Sequence, residues 1–192
     1  MELEFRETET KHFVENRWID LREVYYTMPD GTLSPPYYTY SRKNYVVIVA
    51  TDEQGRYLCV RQFRPGLGKV TTEFPAGGID RPGGKQYGPD GSEQEDPLLA
   101  ARRELTEETG YVSDDWEALI TVPSQATMAD NWAWVYRARN CRPAGRQHLD
   151  DTEFLNVLAL TPAELEERIR SGGFEQAVHI MAWALDKLKT DL

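Results

Sequence analysis

Three glutamates crowd into five consecutive residues of this chain, at Glu104, Glu107 and Glu108. If the segment is helical, Glu104 and Glu108 lie one turn apart on one face, and Glu107 lies beside them. Arg103 precedes Glu107 by one turn and can pair with it. Carboxylates at this density repel one another, and a hard divalent cation such as Mg2+ would relieve the repulsion. The spacing therefore indicates either a metal site or the solvated surface that a bare glutamate-rich helix face more commonly forms.

A helix over residues 97–109 would position these glutamates. Asp96 is a suitable N-cap, Pro97 fits the first helical turn, and Gly110 fits the left-handed position that ends many helices. Apolar residues recur at helical spacing at Leu98, Ala101 and Leu105. The segment is thus predicted to be an amphipathic helix with one acidic face.

The run Arg103–Tyr111 resembles the signature of the Nudix hydrolase family, G-x5-E-x7-R-E-U-x-E-E-x-G-U, where U is a bulky apolar residue. Glu95 stands eight residues before Arg103, as the signature requires. Glu73–Gly77 resembles the E-x-P-A-G segment of ADP-ribose pyrophosphatase-like members. Two more segments, Val60–Arg64 and Leu149–Phe154, are similar to segments of that subgroup. The resemblance therefore extends over most of the chain.

The glycine of the signature departs from the family pattern. Gly77 and Glu95 are 18 residues apart rather than six, so an insertion splits the signature. The inserted piece, around residues 81–94, is rich in glycine and proline and is expected to be a flexible surface loop. Its glycines could also suggest a phosphate cradle, but no Gly-Lys-Ser/Thr sequence follows them.

The resemblance implies a set of metal ligands. They are the carboxylates of Glu104, Glu107 and Glu108, the backbone carbonyl of Ala76, and Glu95 acting through water. The cation implied is Mg2+, with Mn2+ as the alternative. Glu108 is also expected to be required for turnover.

Hydrolysis by a member of this family needs a carboxylate that deprotonates the water attacking the substrate. The signature itself has no spare group for this role, so a further carboxylate should supply it. The resemblance points to Glu153, with its neighbour Asp151 as the alternative. Arg64 is expected to bind a substrate phosphate, since guanidinium groups bind phosphate bidentately, although a surface ion pair is the competing interpretation. Glu73 and Gly77 complete the expected substrate-binding set.

The fold class expected is α/β of the α+β type: a Nudix α/β/α sandwich with a mixed central sheet and an N-terminal β-rich arm. The arm would cover residues 1–44 and the Nudix domain residues 45–192. Aromatic residues at 37–40 could line a nucleobase pocket or pack on a neighbouring domain or subunit. In the resembled subgroup a comparable arm helps to build a homodimer.

Composition limits the function. The net charge of −10 argues against a nucleic-acid partner, and no apolar run is long enough to span a membrane. The charged N-terminus lacks the apolar region of a signal peptide, and Cys59 and Cys141 do not form a disulfide framework. A cytoplasmic location is therefore expected.

These features predict a Mg2+-dependent hydrolase that cleaves the diphosphate of a nucleoside diphosphate linked to another group. ADP-ribose, split to AMP and ribose 5-phosphate, is the first candidate. GDP-mannose or another nucleotide sugar is the alternative substrate. A non-catalytic Nudix-like sensor that binds a nucleotide sugar is the alternative of another class, but such a sensor would be expected to lose signature carboxylates that this chain retains.

Overall fold

The computed structural model describes residues 2–82, 85–87, 94–149 and 153–190. In chain order the elements are β1 (Arg6–Glu15), β2 (Asp20–Thr27), β3 (Tyr37–Ser41), β4 (Tyr45–Asp52), β5 (Tyr57–Arg64), β6 (Lys69–Glu73), β7 (Ala76–Gly78), α1 (Pro97–Thr109), β8 (Tyr111–Val112), β9 (Asp115–Pro123), β10 (Trp132–Pro143), β11 (Leu155–Leu160), α2 (Pro162–Arg170) and α3 (Ala177–Thr190). Within the described residues, no helix combines the length and apolar character needed to cross a bilayer.

The chain divides into two compact units. The first contains Met1–Asn44, Ile79–Glu95 and Pro123–Trp132, and the second contains Tyr45–Gly78, Asp96–Val122 and Ala133–Leu192. The first unit is built on an antiparallel three-stranded sheet in the order β1-β2-β3. Arg22 on β2 pairs with Asp20 on the same strand and with Asp130, which fastens the 123–132 segment to this sheet.

The insertion belongs to the first unit. Gln86 and Tyr87 are buried, and the Gln86 N–H donates to the Arg17 carbonyl at 2.9 Å. The expectation of a flexible surface loop is therefore wrong for these two residues. The Tyr87 ring provides apolar surface that burial removes from water, and the Gln86 amide finds hydrogen-bond partners where it is buried. Residues 83–84 and 88–93, which the same expectation covered, lie outside the described residues.

The second unit is built on an eight-stranded mixed sheet. Its main path is β11-β5-β4-β10-β8, with β6 paired to β5, β7 to β4, and β9 to β10. The β4–β10 pair is parallel, whereas β4 and β5 form an antiparallel hairpin. β4 is buried from Val46 to Ala50, as its continuous apolar sequence predicts for a strand covered on both faces.

Helices cover both faces of β4. Val47 and Val49 belong to a core cluster with Leu165 of α2 and Ala182 of α3. Successive side chains of a strand point to opposite faces, so the alternate residues of β4 face the other way, where α1 packs against β4 and β7. This arrangement is the predicted sandwich with a mixed central sheet.

Helix α1 has the predicted bounds and caps. The Asp96 carboxylate accepts from the N–H groups of Leu98 and Leu99, which would otherwise lack partners in the first turn. Gly110 ends the helix in the left-handed conformation with φ +74°, and its N–H donates to the Thr106 carbonyl. The sequence therefore determines locally where the acidic face begins and ends.

Helical spacing groups Ala177, Ile180, Ala184 and Leu188 of α3 in one stripe, but the face that α3 buries is a different one. Leu188 is 66% exposed, and the buried side chains are instead His179, Ala182 and Asp186. Asp186 is paired with buried Arg137 of β10 and accepts from the Tyr57 hydroxyl at 3.2 Å. The helix is thus oriented by polar partners that hydrophobic periodicity cannot reveal.

Candidate active site

The acidic face of α1 is held by an arginine of the same helix. Arg103 Nη1 donates to Glu104 Oε1 at 2.7 Å and to Glu107 Oε2 at 2.9 Å, which confirms the predicted pairing with Glu107. Its other amino group, Nη2, donates to the Gly78 carbonyl at 3.0 Å. A guanidinium therefore lies between two of the three glutamates and joins them to the end of β7.

The turn that precedes β7 is fixed at four consecutive residues. The Glu73 carboxylate pairs with Arg64, and the Phe74 N–H donates to His179 Nδ1 at 3.1 Å. The Pro75 carbonyl accepts from the Ile48 N–H at 2.9 Å, and the Ala76 N–H donates to Glu108 Oε2 at 3.0 Å. These bonds leave little freedom in the direction of the Ala76 carbonyl, the backbone group expected to bind a cation.

Gly77 lies directly against α1, at the Glu104 side chain. A Cβ atom built on Gly77 would lie 1.9 Å from Glu104 Cδ, far inside van der Waals contact. The Glu104 carboxyl group therefore packs directly on the Gly77 backbone. An added Cβ at Gly77 would therefore displace the Glu104 carboxyl group, an effect of space rather than of an unusual φ angle.

Burial and mutual repulsion make two of the glutamates weak acids. Burial raises the pKa of Glu104 to about 7, with Arg103 opposing the shift and the charges of Glu107 and Glu153 adding to it. Burial also raises the pKa of Glu108 well above its ordinary value, opposed first by the Ala76 N–H and supported by the charges of Glu104 and Glu153. Two nearly buried carboxylates of raised pKa lack the positive charge that would stabilise their ionised forms.

Glu153 lies near this cluster in the second unit. Its side chain is exposed, and its charge raises the pKa of both Glu104 and Glu108. Five residues before Glu153, the His148 N–H donates to the Glu107 carbonyl of α1 at 3.0 Å. Asp151, the alternative candidate for the base, lies outside the described residues.

Glu95 belongs to the first unit. Its N–H donates to the Asp80 carbonyl at 2.8 Å, and its carboxylate accepts from the Asp80 N–H at 3.3 Å. These two bonds join the ends of the insertion. The role of Glu95 as a metal ligand through water stays a prediction.

Arg64 pairs with a buried carboxylate instead of lying free at the surface. Its Nε donates to Glu73 Oε1 at 2.8 Å, and Glu73 is fully buried while the Arg64 side chain is 34% exposed. Among the described residues, Glu73 Oε2 has no hydrogen-bond partner. Glu73 thus holds the Arg64 guanidinium from its buried side through Oε1. The exposed part of that guanidinium can contact an anion.

A second group of potential ligands lies in the first unit. His12, Glu15 and Asp20 bring their ligand atoms within 4.8 Å of one another, through cross-strand pairing that the sequence did not reveal. Arg22 and Lys85 already pair with the two carboxylates, so this trio has little need of a cation. Within the part of the chain that the structure describes, the α1 glutamates are not gathered so closely.

The donors on α1 and β7 nevertheless suit a hard divalent cation. They are carboxylate and carbonyl oxygens, the type that Mg2+ and Mn2+ prefer. Glu104 and Glu108 are nearly buried, burial raises the pKa of each, and the Gly77 backbone leaves room for the Glu104 carboxyl. The residues present therefore fit the implied metal.

Fold and site together are those of a Nudix protein. Residues 41–183 match the NUDIX domain, and the chain belongs to this family.

Several curated relatives support the predicted ADP-ribose pyrophosphatase-like resemblance. An ADP-ribose pyrophosphatase of Mycobacterium tuberculosis (strain ATCC 25618 / H37Rv) is 31% identical over 136 residues, covering 70% of this chain and 60% of the relative. An ADP-sugar pyrophosphatase of Mus musculus is 33% identical over 132 residues, covering 65% and 54%. A methanol dehydrogenase activator of Bacillus methanolicus is 30% identical over 126 residues, covering 65% and 62%. The matched segments thus span about 54–62% of these relatives.

A solved structure confirms the fold class. The crystal structure of an ADP compounds hydrolase superposes with a TM-score of 0.82, covering 100% of this chain and 97% of that chain. The two sequences are 19% identical, so this likeness concerns the fold alone. The α+β architecture with a mixed sheet is as the sequence predicted.

Proposed function

We propose that this chain is a divalent-cation-dependent hydrolase that cleaves the diphosphate of a nucleotide sugar, with ADP-ribose as the first candidate substrate. The observation that carries the proposal is the pair of nearly buried carboxylates, Glu104 and Glu108, packed against the Ala76–Gly77 backbone in a NUDIX domain. The names of two relatives, ADP-ribose pyrophosphatase and ADP-sugar pyrophosphatase, support the substrate class.

The α1 carboxylates and the Ala76 carbonyl would hold the cation, and Mg2+ is the ion we propose. When bound, such a cation neutralises diphosphate charge and lowers the pKa of a coordinated water. Glu104, Glu107 and Glu108 supply the negative charge that retains it, and Arg103 keeps Glu104 and Glu107 oriented.

Glu153 acts as the general base that removes a proton from the attacking water. Its exposed carboxylate is near enough to Glu104 and Glu108 to raise their pKa values, and it precedes β11. An exposed carboxylate at the edge of a metal cluster can accept a proton and release it to solvent. Asp151, two residues earlier, is the alternative base.

Arg64 binds a phosphate oxygen of the substrate through the exposed part of its guanidinium. Glu73 holds the Arg64 Nε from the buried side and so fixes the direction of the fork. The Gly77 backbone belongs to the same substrate-facing turn. A lysine at position 64 would keep the positive charge, but it could not bond to Glu73 on one side and to a phosphate on the other in the fixed geometry of a guanidinium.

The test is a panel of nucleotide sugars with and without Mg2+. ADP-ribose, GDP-mannose and a UDP-sugar are assayed for release of AMP, GMP or UMP, with a chelator control. We expect AMP release from ADP-ribose that depends on added Mg2+. Preferential GMP or UMP release would instead identify another nucleotide sugar.

Glu108→Gln removes one of the proposed ligand charges with little change in shape. We expect kcat to fall on the order of 100-fold while the protein stays folded, because the cation is held less tightly. The matched control is Glu167→Gln, on the exposed side of α2, which should leave turnover unchanged. Near-normal turnover of Glu108→Gln would exclude the ligand role.

Tight binding of a nucleotide sugar by the wild type, with no product formed, would favour the alternative of a non-catalytic Nudix-like sensor.

Glu153→Gln tests the base. A general base typically contributes roughly 100- to 10,000-fold, so kcat should fall by about that factor while KM changes little. Asp151→Asn serves as the comparison, and a larger loss in that variant would move the role to Asp151.

We also propose a homodimer that uses the β1–β3 sheet. Phe13, Trp18 and Tyr38 are 56%, 60% and 53% exposed in the first unit, and the Phe13 and Tyr38 rings stack at 6.4 Å. Exposed aromatic side chains such as these are typical of interfaces. β1 lies at one end of its sheet and offers an edge for pairing.

A cytoplasmic location is part of the same proposal. Cys59 and Cys141 are free thiols, and burial raises the pKa of each to about 12, so that neither is prone to oxidation. Cell fractionation with an antibody to the chain would test it.

A further inference from the structure

His179 is a buried histidine that the chemistry described above does not use. It lies on α3, 105 residues along the chain from Phe74, and only 4% of it is exposed. Its Nδ1 accepts the Phe74 N–H at 3.1 Å. The two rings stack with an interplanar angle of 10°, and Phe174 packs edge-on against Phe74 at 5.1 Å. The imidazole therefore has one defined hydrogen-bond role beside the rings of Phe74 and Phe174, and it lies within the electrostatic reach of the Arg64 guanidinium.

The hydrogen bond defines the chemical state of the ring. Nδ1 can accept only if it carries no proton, so the neutral tautomer has its proton on Nε2. Burial lowers the pKa of His179 to about 3, which keeps the ring neutral under ordinary conditions. The acceptor at Nδ1 is thus permanently available to the Phe74 N–H.

The Phe74 N–H depends on His179 as its acceptor. Phe74 is fully buried, and a buried N–H without an acceptor is unfavourable, so the turn would shift to find one if His179 were lost. Two residues later the Ala76 N–H donates to Glu108, and the Pro75 carbonyl between them accepts from Ile48. A shift at Phe74 would therefore move the Ala76 backbone relative to the α1 carboxylates.

We propose that His179 is a positioning residue for the proposed cation site. By accepting the Phe74 N–H it fixes the turn that presents Ala76 to Glu108, and it so sets the affinity of the cluster for a divalent cation. This inference rests on the proposed function for the identity of the ligand. It assigns to α3 a role in the site beyond covering the sheet.

The test compares His179→Asn with His179→Leu. Asparagine places its side-chain oxygen close to the position of Nδ1, whereas leucine has nearly the same size and shape without an acceptor. Both variants lose the stacked ring, so their difference isolates the hydrogen bond. The probe is Mn2+ alone, with binding followed by the electron paramagnetic resonance signal of the free ion. Exchange of the Phe74 amide is followed by NMR.

We expect His179→Leu to weaken Mn2+ binding by about 10- to 100-fold, the usual cost of removing a group that orients a ligand. His179→Asn should recover most of that affinity and keep the Phe74 amide protected. With substrate, His179→Leu should need more Mg2+ for half-maximal rate while kcat at saturating Mg2+ changes little. Equal Mn2+ affinity in the two folded variants would overturn the inference.

A further variant covers the case in which His179→Leu does not fold. Glutamine places its amide oxygen one bond too far out, so His179→Gln should bind Mn2+ more weakly than His179→Asn, and equal affinities would again overturn the proposal. Mn2+ binding by a wild type that releases no nucleotide would contradict the proposed function alone. Absence of Mn2+ binding by the wild type would contradict both proposals.

Discussion

At the scale of single residues, the site is defined by charges that lack compensation. Glu104 and Glu108 are nearly buried on one face of α1, and the Ala76 N–H and the Arg103 guanidinium only partly balance them. Arg103 acts here as an internal counter-ion between Glu104 and Glu107. A bound cation would have to share Glu104 and Glu107 with it, so metal binding should change the pairing of Arg103.

The raised pKa of Glu104 predicts a pH-dependent stability. In the fold this pKa is about 7, against an ordinary value of 4.5. The folded state therefore holds a proton that the unfolded state releases between these values, and stability is lost as pH rises through that window. In the presence of a chelator, we expect the midpoint temperature of thermal unfolding to decrease as the pH is raised from 5 to 8.

Glu104→Gln supplies the control for that pH dependence. Glutamine cannot ionise, so the variant should lose a clear part of the fall in the unfolding midpoint, although Glu108 will retain its own share. Added Mg2+ should restore the wild-type midpoint at pH 8, because cation binding favours the ionised form. Identical pH profiles for the two proteins would show that Glu104 is not the group responsible.

At the scale of elements, the close approach of β7 to α1 makes the site. It depends on Gly77, because the Glu104 carboxyl group occupies the space that a side chain at position 77 would fill. The helix itself is determined by nearby residues, since Asp96 and Gly110 define both of its ends. The turn depends on distant ones, because its partners are Ile48, His179 and residues of α1.

Gly77→Ala tests this approach. The new methyl group would overlap Glu104 Cδ, so the carboxylate must swing away, and we expect divalent-cation affinity to fall by about 10- to 100-fold with a parallel loss of activity. Mn2+ titration and steady-state kinetics give the measurement. Gly66→Ala is the control, because an added Cβ there meets nothing within 4 Å. Normal cation affinity in Gly77→Ala would mean that Glu104 is not a ligand.

The difference between local and distant determinants explains what the sequence could predict. Helix α1, its caps and the capping box of Thr161 with Glu164 follow from neighbouring residues, and all are present. β1 escaped prediction because most of its residues are polar or charged and nearly all are exposed, so no alternation of buried and exposed side chains marks the strand. The His179–Phe74 bond escaped because nothing local distinguishes a helical histidine with a partner 105 residues away.

At the scale of the whole molecule, the assembly state is the main prediction. Light scattering coupled to size exclusion should give twice the chain mass. Phe13→Ser combined with Trp18→Ser should shift the protein towards monomer, because both are large exposed aromatic side chains of the proposed interface. Leu188→Ser is the matched control, since this leucine is 66% exposed on α3 and outside that interface. A monomeric wild type would contradict the proposed dimer.

The paired ends of the insertion have a practical consequence for protein engineering. Asp80 and Glu95 hold each other by two hydrogen bonds, so the chain leaves and returns at one point before α1 begins. Lengthening a closed loop costs little, about 0.6 kcal/mol for each doubling. A peptide tag or a small foreign domain spliced between Tyr87 and Gln94 would therefore be carried at a fixed anchor, with both the docked Gln86–Tyr87 pair and helix α1 left in their native sequence.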